Sequence, residues 1–88
     1  MRELDLDCGI AYERIATWLD CELALPKTGA AWVFEHGCRS CTVELDELEP
    51  RMLHTLSLER CRLIARGDDA AVEEFERLFT LRFVSAGG

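Results

Sequence analysis

Ala31–Asp46 read AWVFEHGCRSCTVELD, and the fold follows from this stretch. Trp32 and Phe34 alternate with Val33 and Glu35, and Cys41, Val43 and Leu45 alternate with Thr42, Glu44 and Asp46. A period of two is that of a strand with one face buried. The segment Gly37-Cys38-Arg39-Ser40 between the two runs has the length of an ordinary hairpin connection. An antiparallel hairpin is expected, with Trp32, Phe34, Val43 and Leu45 turned toward a core.

Toward the amino terminus, Pro26-Lys27-Thr28-Gly29 carries turn chemistry, with Pro fixing φ and Gly tolerating positive φ. Before it, Ala11, Ile15, Trp18, Leu19 and Leu23 recur at helical spacing, which predicts an amphipathic helix over residues 10–24. Leu4, Leu6 and Cys8 alternate with Asp5 and Asp7, the pattern of a first strand that Gly9 ends. Toward the carboxyl terminus, Leu48, Pro50, Met52, His54, Leu56 and Leu58 occupy even positions, predicting a strand over 48–58. Pro50 places that strand at an edge, because proline donates nothing to a ladder. After Glu59 the phase flips, with Cys61, Leu63 and Ala65 opposite Arg60, Arg62 and Arg66, so a turn or bulge is expected there, then a last strand ending at Gly67. Asp68 is a good N-cap, and Val72, Phe75, Leu78, Phe79 and Phe83 form the apolar face of a closing helix.

The order is strand, helix, four short strands, helix, which gives an α+β fold, an antiparallel sheet with two amphipathic helices packed on one face. In element order it resembles TATA-box-binding-protein-like and helix-grip domains, a likeness of arrangement that implies no function. The outward sheet face would show Asp5, Asp7, Glu35, Thr42, Glu44, Arg60 and Arg62, with opposite charges able to pair across strands.

Eighty-eight residues make a single domain, 1–88, with room for one core. Seventeen acidic side chains against ten basic ones give a net charge of −7, with the bases scattered along the chain. Such a balance argues against nucleic acid, which is bound by releasing counterions from a basic stripe, and against an anionic membrane surface. No apolar run approaches the ~20 residues that span a bilayer, and acidic residues stand where a secretory signal needs an apolar stretch. Five cysteines with no export signal are expected to be thiols, which points to the cytoplasm.

The most chemically loaded segment is His36-Gly37-Cys38-Arg39-Ser40-Cys41, a Cys-x-x-Cys with a flanking His. Three readings of it are open. Strand, helix and strand precede it, an order that resembles thioredoxin-like proteins and implies a redox pair whose thiolate Arg39 would favour. Two thiols in a hairpin turn also resemble half of a zinc knuckle, with His36 as a third ligand and Cys61, His54, Cys8 or Cys21 available to complete a tetrahedron, so zinc is the one cofactor considered. In the third reading, Cys41 packs inward as a small inert hydrophobe and Cys38 sits on a loop. The terminal Gly87-Gly88 resembles the tail of ubiquitin-like sulfur carriers, such as the small subunit of molybdopterin synthase, which implies a tail activated at its last glycine.

No Ser-His-Asp order, phosphate-cradling glycine loop or HExxH helix is present. Without a catalytic constellation, the expected role is a non-catalytic protein-binding or assembly module, a homodimer or an accessory subunit. Its partner would be a protein or a second copy of itself.

Overall fold

The computed structural model describes residues 1–84. Strand β1 (Arg2–Cys8) leads into helix α1 (Tyr12–Thr17), which continues through a wider π-type turn to Glu22. A two-residue strand β2 (Lys27–Thr28) precedes β3 (Ala31–His36), β4 (Arg39–Leu53) and β5 (Leu56–Gly67). Helix α2 (Asp69–Phe79) closes the described chain and also ends in a π-type turn, Thr80–Val84. The strands form one antiparallel sheet in the order β1-β5-β4-β3-β2, so the first strand lies beside the last. The α+β class and the single-sheet arrangement are those expected from the sequence.

The core sits between the sheet and the helices. Trp32 and Phe34 from β3, Cys41, Val43 and Leu45 from β4, and Cys61, Leu63 and Ala65 from β5 are buried on one face. Against them lie Ile15, Trp18 and Leu19 of the first helical segment and Ala71, Val72, Phe75 and Phe79 of α2. The Trp18 ring lies 5.7 Å from that of Phe75 and 5.3 Å from that of Phe83, and the Phe34 ring lies 5.5 Å from that of Phe75. These tilted and edge-on contacts add to the burial of large apolar area. The indole Nε1 of buried Trp32 donates to Asp20 at 2.7 Å, so the one polar atom of that ring keeps a partner.

The entry to α2 is tied to the β3–β4 hairpin. The backbone N–H of Ser40 donates to the Asp68 carboxylate at 3.1 Å, and the Asp68 N–H donates to the Ser40 carbonyl at 3.0 Å. Asp68 thus occupies the N-cap position but spends its side chain on a neighbouring strand rather than on its own helix. Gly67, at φ 153°, makes this approach possible: a Cβ there would stand 2.5 Å from the Cys41 Cα and from the Ser40 carbonyl oxygen.

Several boundaries differ from those the sequence suggests, and Lys27 and Thr28, expected within a turn, pair with β3 as β2. The β3–β4 turn is only Gly37-Cys38, since His36 pairs with Arg39, and Gly37 takes the φ of 65° that so tight a turn requires. The segments expected as separate strands over 41–46 and 48–58 are instead one long strand to Leu53, followed by a turn at His54-Thr55 and by β5. That turn contains no Gly, Pro or Asn to announce it; His54 adopts φ 58°, a region in which histidine is enriched among non-glycine residues. A bulge does occur, but on β4, where Glu49 and Pro50 intervene between the pairs Leu48↔Arg60 and Arg51↔Leu58. The first helical segment spans 12–22 and is shorter than expected.

Candidate functional site

Along β1 and β5 the sheet's outward face carries a row of paired charges. Arg60 grips Asp7 at 2.6 Å, Arg62 grips Asp5 at 2.5 Å, and Arg66 reaches Glu3 at 2.5 Å and Glu44 at 3.5 Å. Arg60 and Arg62 each use two guanidinium nitrogens on one carboxylate. These bonds hold the Asp5 and Asp7 carboxyls below the usual carboxylate range. Ile64 lies on this face between Asp5 and Glu44 on the neighbouring strands, yet it is only 7% exposed. Arginine stems cover apolar surface in this way while their heads stay in water.

Beyond Arg60 the organisation changes. The β1 ladder ends at Cys8↔Cys61 and the β3 ladder ends at Ala31↔Glu44. The distal parts of β4 and β5 therefore continue as a two-stranded arm, and every residue from Glu49 to Glu59 is exposed. Among them are Met52 at 63%, Leu56 at 64%, Leu53 and Leu58. In register Leu53 faces Leu56, Arg51 faces Leu58 and Leu48 faces Arg60, so four leucines share the face that bears the arginines. The arm stretches the molecule to 48 × 32 × 25 Å with a radius of gyration of 13.4 Å, against about 12 Å for a compact chain of this length.

An open cleft of about 900 Å³ runs along the base of the arm, walled by Gly9, Ile10 and Arg14 on one side and by Ser57, Leu58 and Arg60 on the other. It lies where β1 has ended and β5 continues with β4 as its one neighbouring strand among the described residues. The cleft is therefore shaped by an unused strand edge.

The thiols are arranged differently from the sequence grouping. Cys38 is exposed in the two-residue turn, next to His36 at the end of β3, whereas Cys41 is buried opposite Phe34. Burial, and then the charge of Asp68, push the Cys41 thiol up to about 11. Cys61 pairs with Cys8 on β1, and β4 places its partner Glu47 six residues from Cys41, roughly 20 Å along the strand. Burial also drives Cys61 up to about 11, with the Cys8 charge the next contribution, and raises Cys8. The Cys61 Sγ donates to the Ile10 carbonyl at 3.2 Å. Cys21 is exposed on the π-type turn, and His54 is at the arm's tip. Among the described residues no group of three or more His, Cys, Asp or Glu side chains converges as a metal site would require. Gly87 and Gly88 lie outside the described residues.

The sequence contains Leu48, Leu56 and Leu58 in plain view, as an even-numbered alternation, but not the bulge that puts Leu53 rather than Met52 on their face, nor the fact that they leave the core. The Cys8–Cys61 pair was hidden for another reason: nothing local says that the first strand lies beside the last. No helix among the described residues is long and apolar enough to cross a membrane. No protein-family model matches the chain, and neither a curated protein nor a solved structure is significantly similar to it.

Proposed function

We propose that the chain is a non-catalytic protein-binding or assembly module, a homodimer or an accessory subunit, and that its contact surface is the β4–β5 arm. One observation carries this reading: Met52, Leu53, Leu56 and Leu58 are all exposed on a segment that contributes no buried residue between Glu49 and Glu59. Their apolar surface has no part in the core, and clustered surface of this kind is characteristic of interaction sites. The bulge at Glu49-Pro50 bends one strand of the arm relative to the body and so sets its direction.

The test is the solution mass of the natural chain and of the Leu56→Glu/Leu58→Glu variant, together with retention of other chains by each. The natural chain is expected to run above its 10.0 kDa monomer mass or to hold a stoichiometric partner. The variant is expected to lose that association while melting at the same temperature. A monomer that holds nothing, or an association indifferent to the two substitutions, overturns the proposal.

A further inference from the structure

The two edges of the arm are not equivalent. Along the β4 edge stand Asp46, Glu47 and Glu49, followed by Pro50, which has no N–H to offer, and the bulge breaks the ladder at the same place. Charge, proline and bulge are the devices by which strand edges are kept from pairing. The β5 edge has none of them. From Leu56 to Arg60 it runs without bulge or proline, and no strand among the described residues lies beside it. The stretch is bounded at one end by the His54-Thr55 turn and at the other by the end of β1 at Cys8.

We propose that a second copy of this chain fills that slot, β5 pairing antiparallel with β5 about a two-fold axis at Leu58. The inference rests on the arm being the contact surface and adds what occupies it and how. The segment is complementary to itself. With Leu58 opposite its symmetry mate, Leu56 faces Arg60 of the second copy and Ser57 faces Glu59, so no like charges meet. Glu59 and Arg60 leave the strip with no net charge, and two chains of −7 can approach there on neutral ground. The leucines fall into line as well. Leu48, Leu53, Leu56 and Leu58 of one arm share a face with those of the other, so that the leucines of both copies adjoin at a four-stranded centre, interspersed with Arg51 and Arg60. Such an isologous contact closes on itself and stops at two chains. Each arm tip then lies against the Gly9–Ile10–Arg14 wall of the other copy, which fills the cleft.

Interchain crosslinking tests this pairing in the full chain carrying Cys21→Ser and Cys38→Ser. Leu58→Cys places two thiols directly opposite each other across the axis, with Cα atoms about 4.5–5.5 Å apart, a separation a disulfide spans. Oxidation with glutathione disulfide is expected to convert the chain into a covalent dimer, each new bond reducing one oxidant molecule to two glutathiols. Met52→Cys, on the far strand, is expected to give none. Ser57→Pro, which removes an edge N–H, is expected to weaken the non-covalent dimer by about tenfold or more without lowering the melting temperature of the monomer. A dimer in which Leu58→Cys stays unlinked, or in which Met52→Cys links instead, overturns the pairing; the arm remains the contact surface if Leu56→Glu/Leu58→Glu still dissociates it. A monomer that uses the arm to hold a different chain overturns the second copy as occupant and leaves the assembly role standing. A monomer that holds nothing removes both.

Discussion

Along one hairpin, β4 and β5 obey two different rules. In the half that carries Val43, Leu45, Leu63 and Ala65, apolar side chains point to the helix-covered face and are shut from water, while the other face is tiled with Asp–Arg and Glu–Arg pairs. In the half that carries Leu53, Leu56 and Leu58, the leucines stand on the opposite face, in line with the arginines, and are exposed. The sheet does not turn over between them. Arg60, Arg62 and Leu58 remain on one side throughout, and it is the apolar residues that change sides. Hydrophobic content in a strand therefore has two uses. Where helices cover the sheet it builds a core, and where they stop it offers surface.

Substitutions at the two halves separate these uses most clearly. Phe75 is fully buried against Trp18 and Phe34, so Phe75→Ala is expected to cost about 3–5 kcal/mol of folding stability. Leu56→Ala, on the arm, is expected to change the stability of the monomer by less than about 0.5 kcal/mol. Chemical denaturation of both at a concentration too low for association measures the contrast. An arm substitution costing as much as the core one would mean that the leucines stabilise the fold itself.

Gly67 sharpens the boundary of the body. Its φ of 153° and the 2.5 Å at which an added Cβ would meet the Cys41 Cα and the Ser40 carbonyl oxygen leave no room for a methyl group, because these obstructing atoms are backbone and cannot swing aside. Gly67→Ala is expected to destabilise by about 2–3 kcal/mol through steric overlap and backbone strain. It would also loosen the Asp68–Ser40 clamp that seats α2. A denaturation midpoint unchanged by this substitution would contradict the close approach of β5 to β4 there.

The thiols test burial residue by residue. Cys21 and Cys38 are expected to react promptly with an aromatic disulfide reagent, and Cys8, Cys41 and Cys61 only as the chain unfolds. Because the folded values of Cys41 and Cys61 are raised to about 11, the native state holds these protons longer than the unfolded chain does. Their contribution to stability is whole below the ordinary thiol value of about 8.5 and is lost as pH rises from there through about 11. Thermal melts across that range check the sign. Prompt reaction of all five cysteines at neutral pH would show that the body is not closed.

How much of this was legible is a matter of range. Trp32, Phe34, Val43 and Leu45 announce their strands by period two, and Val72, Phe75 and Phe79 announce α2 by helical spacing, because each pattern depends only on residues nearby. Asp5, Asp7, Arg60 and Arg62 read correctly as an outward charged face for the same reason. The His54-Thr55 turn was not legible, since its left-handed residue is a histidine rather than glycine or asparagine. The phase change after Glu59 suggested a break in the strand, although the strand is continuous and only its surroundings change. Which surfaces the helices cover is a tertiary fact. For that reason the Cys38–Cys41 turn, whose thiols part toward water and core, reads as a site in the sequence, while the arm shows there only as one more alternating run.

The smallest effect belongs to the charged face, and it locates where that face ends. Asp5 and Asp7 have their carboxyls lowered chiefly by hydrogen bonds from Arg62 and Arg60, so the folded chain keeps them ionised at a pH where the unfolded chain has begun to protonate them. A lowered folded value adds stability above the unfolded one, and that stability is lost as pH falls through the folded one; the loss is therefore expected below about pH 4. Both carboxylates are exposed and screened, so the shift in melting temperature should be slight and should shrink further at high salt. Asp5→Asn/Asp7→Asn should flatten the acid slope. The pair Arg60–Asp7 is the last of the row before Leu58. If the face beyond it is held by leucines rather than by charge, acid should lower the stability of the body and leave the contact made by the arm intact. An association that dissolves together with the Asp5 and Asp7 titration would place the contact on the arginine-bearing part of the sheet instead.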